Sequence, residues 1–522
     1  MQWKTFAHNG VAFPKEYEPK GLTITILGEA VQLNPLAEEM ATAISKKFGT
    51  KYLDDQVFTQ NFMIDFVKQL PQKFNNITFK DVDFTSIRKT IDSEKEAKLS
   101  VGKEEKKQLT ASRKKIREDL QNKYGFVLVD GQKFQIANWM VEPPSLLLGR
   151  GLLPNRGRWK PRLTEQDVTL NLSDDAPVPP GNWGGIVHET NGFWVARWHD
   201  KVSGRMKYVL LHESTPIQIQ RNKKKYTKAN KLAANIDKIR GSIKKKMESH
   251  ALKERQLATI CYLIDTYGFR IGNEKDKDEA QTIGASTLQV SSVKVSGTSV
   301  TFDFLGKDSV RFERTFDAVD PLLIKNLQEF TANKPPTALI FDAVGSNAVN
   351  TFLDKLMDGL TAKVFRTFKG TTVVRKFLDS QTTENKELYE LQYIGKMANL
   401  EAAKALNHKR TMPAKWEEQL QKKEERLKEM QTKSKDKSVK KMMLDIDLQV
   451  KTRDYNLNTS LKNYIDPTVY KGWCDKVGLD WAKIYSKTLQ KKFAWAAKLK
   501  SNSSEGVSDE PSTENGAVQT AS

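Results

Sequence analysis

"PAKWEEQLQKKEERLKEM", residues 413–430, and "SVKKMMLDIDLQVKTRDY", residues 438–455, flank the polar turn "QTKSKDK" and settle how this chain is organised. Both segments have helical spacing of apolar residues: Trp416, Leu420 and Leu427 on one face of the first, Val439, Met442, Ile446 and Val450 on the second. Each apolar stripe is narrow and the remaining faces are charged, so the pair is expected to form an antiparallel helical hairpin, a linker over residues 412–456. Beyond it, residues 457–500 read as a small helical unit, with Asp466-Pro467 opening one helix and Asp480 the next. The last stretch, 501–522, is small, polar and acidic and is expected to be disordered.

Upstream of the linker, residues 216–411 read as mainly helical with one hairpin at 298–313, whereas residues 1–215 are mixed. Stretches such as "LTITILGEAVQL" and "GFWVARWH" alternate like strands between Pro- and Gly-bearing turns. Residues 82–123 form a charged helical run that stops at Gly125 and reads as a solvated helix pair. The fold class is therefore α+β. A chain of 522 residues exceeds one comfortable core, so two or more lobes are expected.

Composition narrows the function. Hydrophobic residues make up 38% of the chain, enough to exclude global disorder. No stretch is long and apolar enough for a bilayer, and "MQWKTFAHNGVAF" lacks the order of a signal peptide, so a soluble protein away from membranes is expected. Cys261 and Cys474, both in apolar helical patterns, make neither a disulfide framework nor a metal cage. The net charge is +21, and because the acidic tail holds four carboxylates and no base, residues 1–500 carry +25. Such a surplus favours a polyanionic partner over mere solubility.

Most catalytic classes find no support. "LGKDS" at 305–309 lacks the glycine loop of a nucleotide site, and the six histidines form no metal-ligand motif. Asp81/Asp83 and Asp445/Asp447 alternate in charged segments and read as surface charge. Chemistry on a phosphodiester by cations remains: attack by a tyrosine oxygen loads negative charge on the non-bridging oxygens, which calls for fixed Arg and His donors and an acid for the departing alkoxide. Arg270 follows Gly268 at a helix end, Lys307 sits at a hairpin tip, Arg366 follows an apolar run, His408 ends a helix, and Tyr464 precedes a turn. Taken singly, each has an ordinary reading: ion-pair partner, solubilising lysine, helix cap or packed ring.

Taken together, "GFRIGNEKDKDEAQTIG", "TFDFLGKDS", "GLTAKVFRTF", "ALNHKR" and "TSLKNYIDP" resemble, in their order, the eukaryotic-type DNA topoisomerase I family of type IB enzymes. The similarity runs over nearly the whole chain, from "YEPKGLTITILGEAVQLNPLAEEMAT" to "KIYSKTLQKKFAWA". It implies a two-lobed DNA clamp: a mixed α/β cap lobe (1–215), a mainly α catalytic lobe of the tyrosine-recombinase-like type (216–411), the protruding linker and a C-terminal domain with the nucleophile. By resemblance, Arg270 and Arg366 hold the scissile phosphate and His408 donates to a non-bridging oxygen. Lys307 acts as general acid, and Tyr464 is the nucleophile. Arg150, Asp308, Lys363 and Asn463 are implied as DNA-binding residues. The implied activity is relaxation of positive and negative supercoils through a 3′-phosphotyrosyl intermediate, without ATP, metal or other cofactor, by a monomer on double-stranded DNA serving replication and transcription. The implied setting is the nucleus if the source is cellular, and otherwise a host cell or virion of a large DNA virus.

Four departures stand out. In "LLGRG" at 147–151, Leu148 stands where the family pattern has the first of two arginines while Arg150 remains, and "TSLKNY" inverts the usual order of Lys and Leu before Asn463-Tyr464. The linker is shorter than in cellular members, and their long charged N-terminal extension has no counterpart. Two rivals remain: a tyrosine recombinase, which would have HxxR where this chain has Lys363-Val364-Phe365-Arg366, and an architectural DNA-binding protein without catalysis.

Overall fold

Helix signals and strand alternation sort the chain into four apolar cores, two on either side of residue 211. The structure, a computed structural model, describes residues 2–149, 151, 153–272, 282–413, 415–432 and 436–498, and of Asp308 only the backbone. The tail at 501–522 and Arg150 therefore lie outside the described residues.

The first core sits under α1 (Pro35–Ser45), α2 (Gln56–Phe66) and the start of α3 (Thr85–Ser100). Asn34 accepts from the Ala37 amide and Pro35 occupies the first turn of α1, while Asp55 caps α2. The strand-like stretch "LTITILGEAVQL" forms a hairpin of Thr23–Ile26 and Glu29–Gln32, turned by Leu27 and Gly28, both at positive φ. The charged run is indeed two helices, α3 and α4 (Lys103–Tyr124); α4 buries nothing and ends at Gly125. The second core packs Trp3 and Phe6 against strands Phe126–Val129 and Gln132–Gln135 and a four-stranded sheet. In that sheet Gly185–Val187 runs parallel to Thr169–Asn171, which pairs antiparallel with Trp194–His199, followed by Met206–Leu210.

Helix α5 (Pro216–Met247) opens the second half. The third core gathers α5, α6 (Leu252–Tyr267), α7 (Pro321–Thr331), α8 (Ser346–Leu356) and the first turns of α9 (Ala362–Asp379) around a sheet. The hairpin expected at 298–313 forms from Ser299–Leu305 and Arg311–Phe316, and a third strand, Val293–Ser296, extends it to a three-stranded meander. "VKVS" is too short an alternation to stand out, and it is fixed as a strand by pairing with Ser299–Phe302. The fourth core joins the end of α9 to α10 (Leu388–Ala405), α13 (Leu457–Asn463), α14 (Pro467–Val477), α15 (Lys487–Lys492) and α16 (Ala494–Ala497). Helix α9 thus serves both cores, Phe365 in one and Val374 in the other, and Arg366 lies at their junction.

The linker segments form α11 (Trp416–Thr432) and α12 (Asp436–Lys451), and neither buries a residue. Val450 is exposed rather than interfacial. Leu444 and Leu448, outside the expected facing set, instead line a cleft with Tyr389 and Tyr393 of α10. There Tyr393 donates to Asp447, and Lys451 donates to the Tyr393 hydroxyl at 3.2 Å. Asp466 caps α14 as expected, but Asp480 opens only a single 3₁₀ turn, Trp481–Lys483, because Ser486 caps the next helix six residues later. Asp81 and Asp83 accept from Thr78 and Thr85, and Asp445 and Asp447 pair with Lys423 and Lys451.

Candidate active site

Three helix ends and one strand turn meet at the junction of the third and fourth cores. Gly268 closes α6 at φ 69°, and a Cβ there would lie 2.6 Å from the Ala405 carbonyl, so the ends of α6 and α10 abut only because this residue is glycine. Phe269 then turns inward, edge-on to Phe302, Phe304 and Phe312 with centroids 5.0–5.6 Å away. That anchor fixes the chain beside the meander and directs Arg270 to a cleft. Helix α10 stops at Asn407, φ 51°, after which the His408 amide returns to the Ala403 carbonyl at 2.8 Å. The His408 carbonyl in turn accepts from the Asn456 amide at 2.7 Å, which places α13 alongside.

Arg366 projects from α9 into this junction and is 3% exposed. Its guanidinium donates to the Gly268 carbonyl, to the Leu406 carbonyl at 2.9 Å and to His408 Nε2 at 3.2 Å. It also lies 5.1 Å above the Tyr464 ring. A buried guanidinium held by carbonyls, with its Nε lacking an acceptor among the described residues, is a costly arrangement that an incoming anion relieves. Burial, then the nearby Arg270, lowers the Arg366 pKa to about 10. The same two influences with Arg366 added, burial foremost, bring His408 down to about 2, so its imidazole is neutral.

Tyr464 ends α13 and is 7% exposed. Its amide donates to the Ser460 carbonyl at 2.9 Å, its carbonyl accepts from Thr371 Oγ1 at 3.4 Å, and its ring is 5.1 Å from that of His408. The Arg270 guanidinium reaches the phenol oxygen at 3.4 Å. Burial pushes the phenol up, yet Arg366 and Arg270, with Lys363 adding to them, outweigh it and hold the phenol below its ordinary value.

The resulting cleft, about 290 Å³, is lined by Arg270, Lys307, Arg366, His408, Lys409, Asn463 and Tyr464 among others. None of its described lining residues is acidic. Lys307 is exposed at the turn between Leu305 and Arg311, in a short 3₁₀ turn closed by the Ser309 amide on the Gly306 carbonyl at 3.0 Å. Phe304 and Phe312 stack at its base, 5.0 Å apart. All five residues expected to act in catalysis thus meet around one cleft. Asn463 lines it and donates to the Thr459 carbonyl, whereas Lys363 is exposed on the first turn of α9 and does not line it. The Asp308 side chain and Arg150 lie outside the described residues. Sequence reasoning missed Lys409, Asn456 and Thr459, also in the lining. Lys409 was signalled only by adjacency to His408. Asn456 caps α13 through Thr459, a cap visible in "NLNTS".

Comparison with known proteins gives the family. Residues 1–211 match the model of the eukaryotic DNA topoisomerase I DNA binding fragment, 214–443 that of its catalytic core, and 424–504 that of the C-terminal topoisomerase domain. The chain is 34% identical over 541 residues to DNA topoisomerase 1 beta of Arabidopsis thaliana, covering 95% of this chain and 58% of the plant protein. It is 33% identical over 546 residues to DNA topoisomerase 1 of Homo sapiens, covering 95% and 71%. The chain belongs to the eukaryotic DNA topoisomerase I family.

Proposed function

We propose that this chain relaxes positive and negative DNA supercoils by transient single-strand cleavage and religation. The Tyr464 phenol gives its proton to solvent and its oxygen attacks the scissile phosphorus, the bond to the 5′ oxygen breaks, and Lys307 passes a proton to that leaving oxygen. The product is a 3′-phosphotyrosyl bond and a free 5′ hydroxyl. Rotation of the downstream duplex sheds turns, after which the hydroxyl returns the strand to its original ester and frees Tyr464. The bond count is unchanged at each step, so no ATP is consumed.

The observation that carries this reading is a buried guanidinium, Arg366, stacked on a phenol beneath a second arginine, in a cleft with no acidic side chain among its described lining residues. A bound phosphate offsets the positive charge that adds to burial in keeping His408 neutral. It favours a proton on His408, and the arginines that bind it stabilise the dianionic transition state, supplying from side chains the charge a metal would otherwise bring. A free tyrosine has a pKa of about 10, and the arginines lower it where the attack occurs.

Residues 1–215 serve as the cap and 216–411 as the catalytic lobe of a monomeric clamp, with 412–456 the protruding linker and 457–500 the nucleophile domain. A contact across the halves supports closure: a Cβ on Gly151 would fall 1.8 Å from Ser309 Oγ, so backbone from the first half rests on the turn that carries Lys307. The +25 surplus suits phosphate-directed, sequence-tolerant binding. Relatives from a plant and an animal favour the nuclear setting over a viral one. The recombinase rival is disfavoured by Lys363 at the HxxR position.

The test is a supercoiled plasmid incubated with the protein in EDTA without ATP. Relaxation of both positively and negatively supercoiled plasmid is expected, and a plasmid that stays supercoiled refutes the reading.

A further inference from the structure

The inverted Leu461-Lys462 pair has a structural consequence. Leu461 is buried in the fourth core, and Lys462, two residues before the nucleophile, reaches Glu213 at 3.0 Å. Lys492 of α15 reaches the same carboxylate oxygen at 3.5 Å with only 4% of its side chain exposed. Glu213 lies in the short connector between strand Met206–Leu210 and α5. Its neighbour His212 donates its amide to the Gln135 carbonyl at 2.8 Å, in the sheet of the first half. Adjacent residues therefore carry a backbone bond into the first half and an ion pair onto the nucleophile helix. Lys225 of α5 also donates to the Asn463 carbonyl at 2.9 Å.

On these contacts we propose that Glu213 is a positioning residue for Tyr464, tying the connector to α13 so that the seating of the first half on DNA sets the reach of the phenol oxygen. The inference rests on the function proposed above. An exposed ion pair alone would do little. Here the carboxylate also neutralises Lys492, which is nearly buried; without it three lysines, 225, 462 and 492, repel one another behind the nucleophile. Burial, then Lys462 and Lys492, act on the Glu213 carboxyl, and the lysines prevail, holding it below its ordinary value.

The experiment uses the full chain with Glu213→Gln, Lys462→Gln and the double variant. It measures duplex affinity and single-turnover cleavage on a duplex whose cut 5′ piece diffuses away. Each single variant is expected to cleave about fivefold to tenfold slower, with the double no slower than the worse single, as for coupled neighbours. Duplex affinity should hold within about twofold, and Glu213→Asp should recover most of the rate. Unchanged cleavage, additive losses, or losses mirrored in affinity overturn the proposal. Should Glu213→Gln misfold, Lys462→Gln, whose side chain is 42% exposed, decides alone. If the unaltered protein forms no covalent adduct, the proposed function fails first, and the two failures stay distinct.

Discussion

Gly370 offers a perturbation that separates stability from catalysis. It lies on α9 one turn beyond Arg366, and a Cβ added there would sit 2.8 Å from the Tyr464 carbonyl oxygen, 3.0 Å from Leu406 Cδ1 and 3.4 Å from Tyr464 Cβ. Its neighbour Thr371 binds both sides of the nucleophile, accepting from the Asp466 amide at 3.0 Å and donating to the Tyr464 carbonyl. A methyl group thus wedges α9 from Tyr464 by roughly half an ångström, if carbon contacts are to regain their usual 3.5–4 Å. In Gly370→Ala, helix propensity gains about 1 kcal/mol while overpacking costs about 1–3 kcal/mol, a net loss of about 0–2 kcal/mol. The melting temperature should fall by only a few degrees, about 2–4 °C per kcal/mol. Catalysis should suffer more. A misplacement of 1 Å costs about a hundredfold, so half that costs about tenfold in single-turnover cleavage. Gly241→Ala on α5, where an added Cβ meets nothing within 4 Å, is the control and should gain about 1 kcal/mol with unchanged cleavage. A Gly370→Ala protein that is more stable and cleaves at the unaltered rate refutes the packing argument.

Further outcomes follow from the site. Lys307→Ala should slow cleavage far less on a substrate whose 5′ leaving group is a thiolate, which needs no protonation; equal losses on both substrates rule out the acid role. His8 and His408 are buried neutral, with pKa values near 4 and 2 against 6.5 unfolded, so the unfolded state binds more protons between those values and 6.5. Stability should therefore rise as pH climbs towards 6.5 and fall on acidification, and His408→Gln should flatten the slope in a urea-melt series. An unchanged slope contradicts the buried neutral imidazole. Arg366→Lys, which keeps charge but loses the fork that spans Gly268, Leu406 and His408, should cost at least about a hundredfold in cleavage while leaving duplex affinity within a few-fold. A rate within threefold shows that the fork is dispensable.

Local signals carried much of the architecture. Gly268 after an apolar helix, Asp466-Pro467 and the paired stripes around "QTKSKDK" announced their elements because caps and periodicity act within a few residues. Longer-range facts were illegible. The strand at 293–296 exists by pairing, and Leu444 and Leu448 line a cleft shared with α10, which only packing decides. Convergence of the site was hidden for the same reason: Arg270 meets Tyr464 across 194 residues, and Arg366 meets His408 across 42. The family resemblance proposed that meeting, and the shared helix α9 shows how it comes about physically. The destination of Lys462 had no sequence signal, since Glu213 lies in an unremarkable connector.

The most direct measurement of the central claim is to denature the protein during reaction with a 5′-labelled scissile strand, digest the trapped adduct and identify the modified peptide by mass. The account predicts a single adduct, a 3′ phosphate esterified to Tyr464 in the peptide containing "NYIDPTVY", and its loss in Tyr464→Phe without loss of duplex binding. An adduct on another tyrosine, or one joined through a 5′ phosphate, contradicts it.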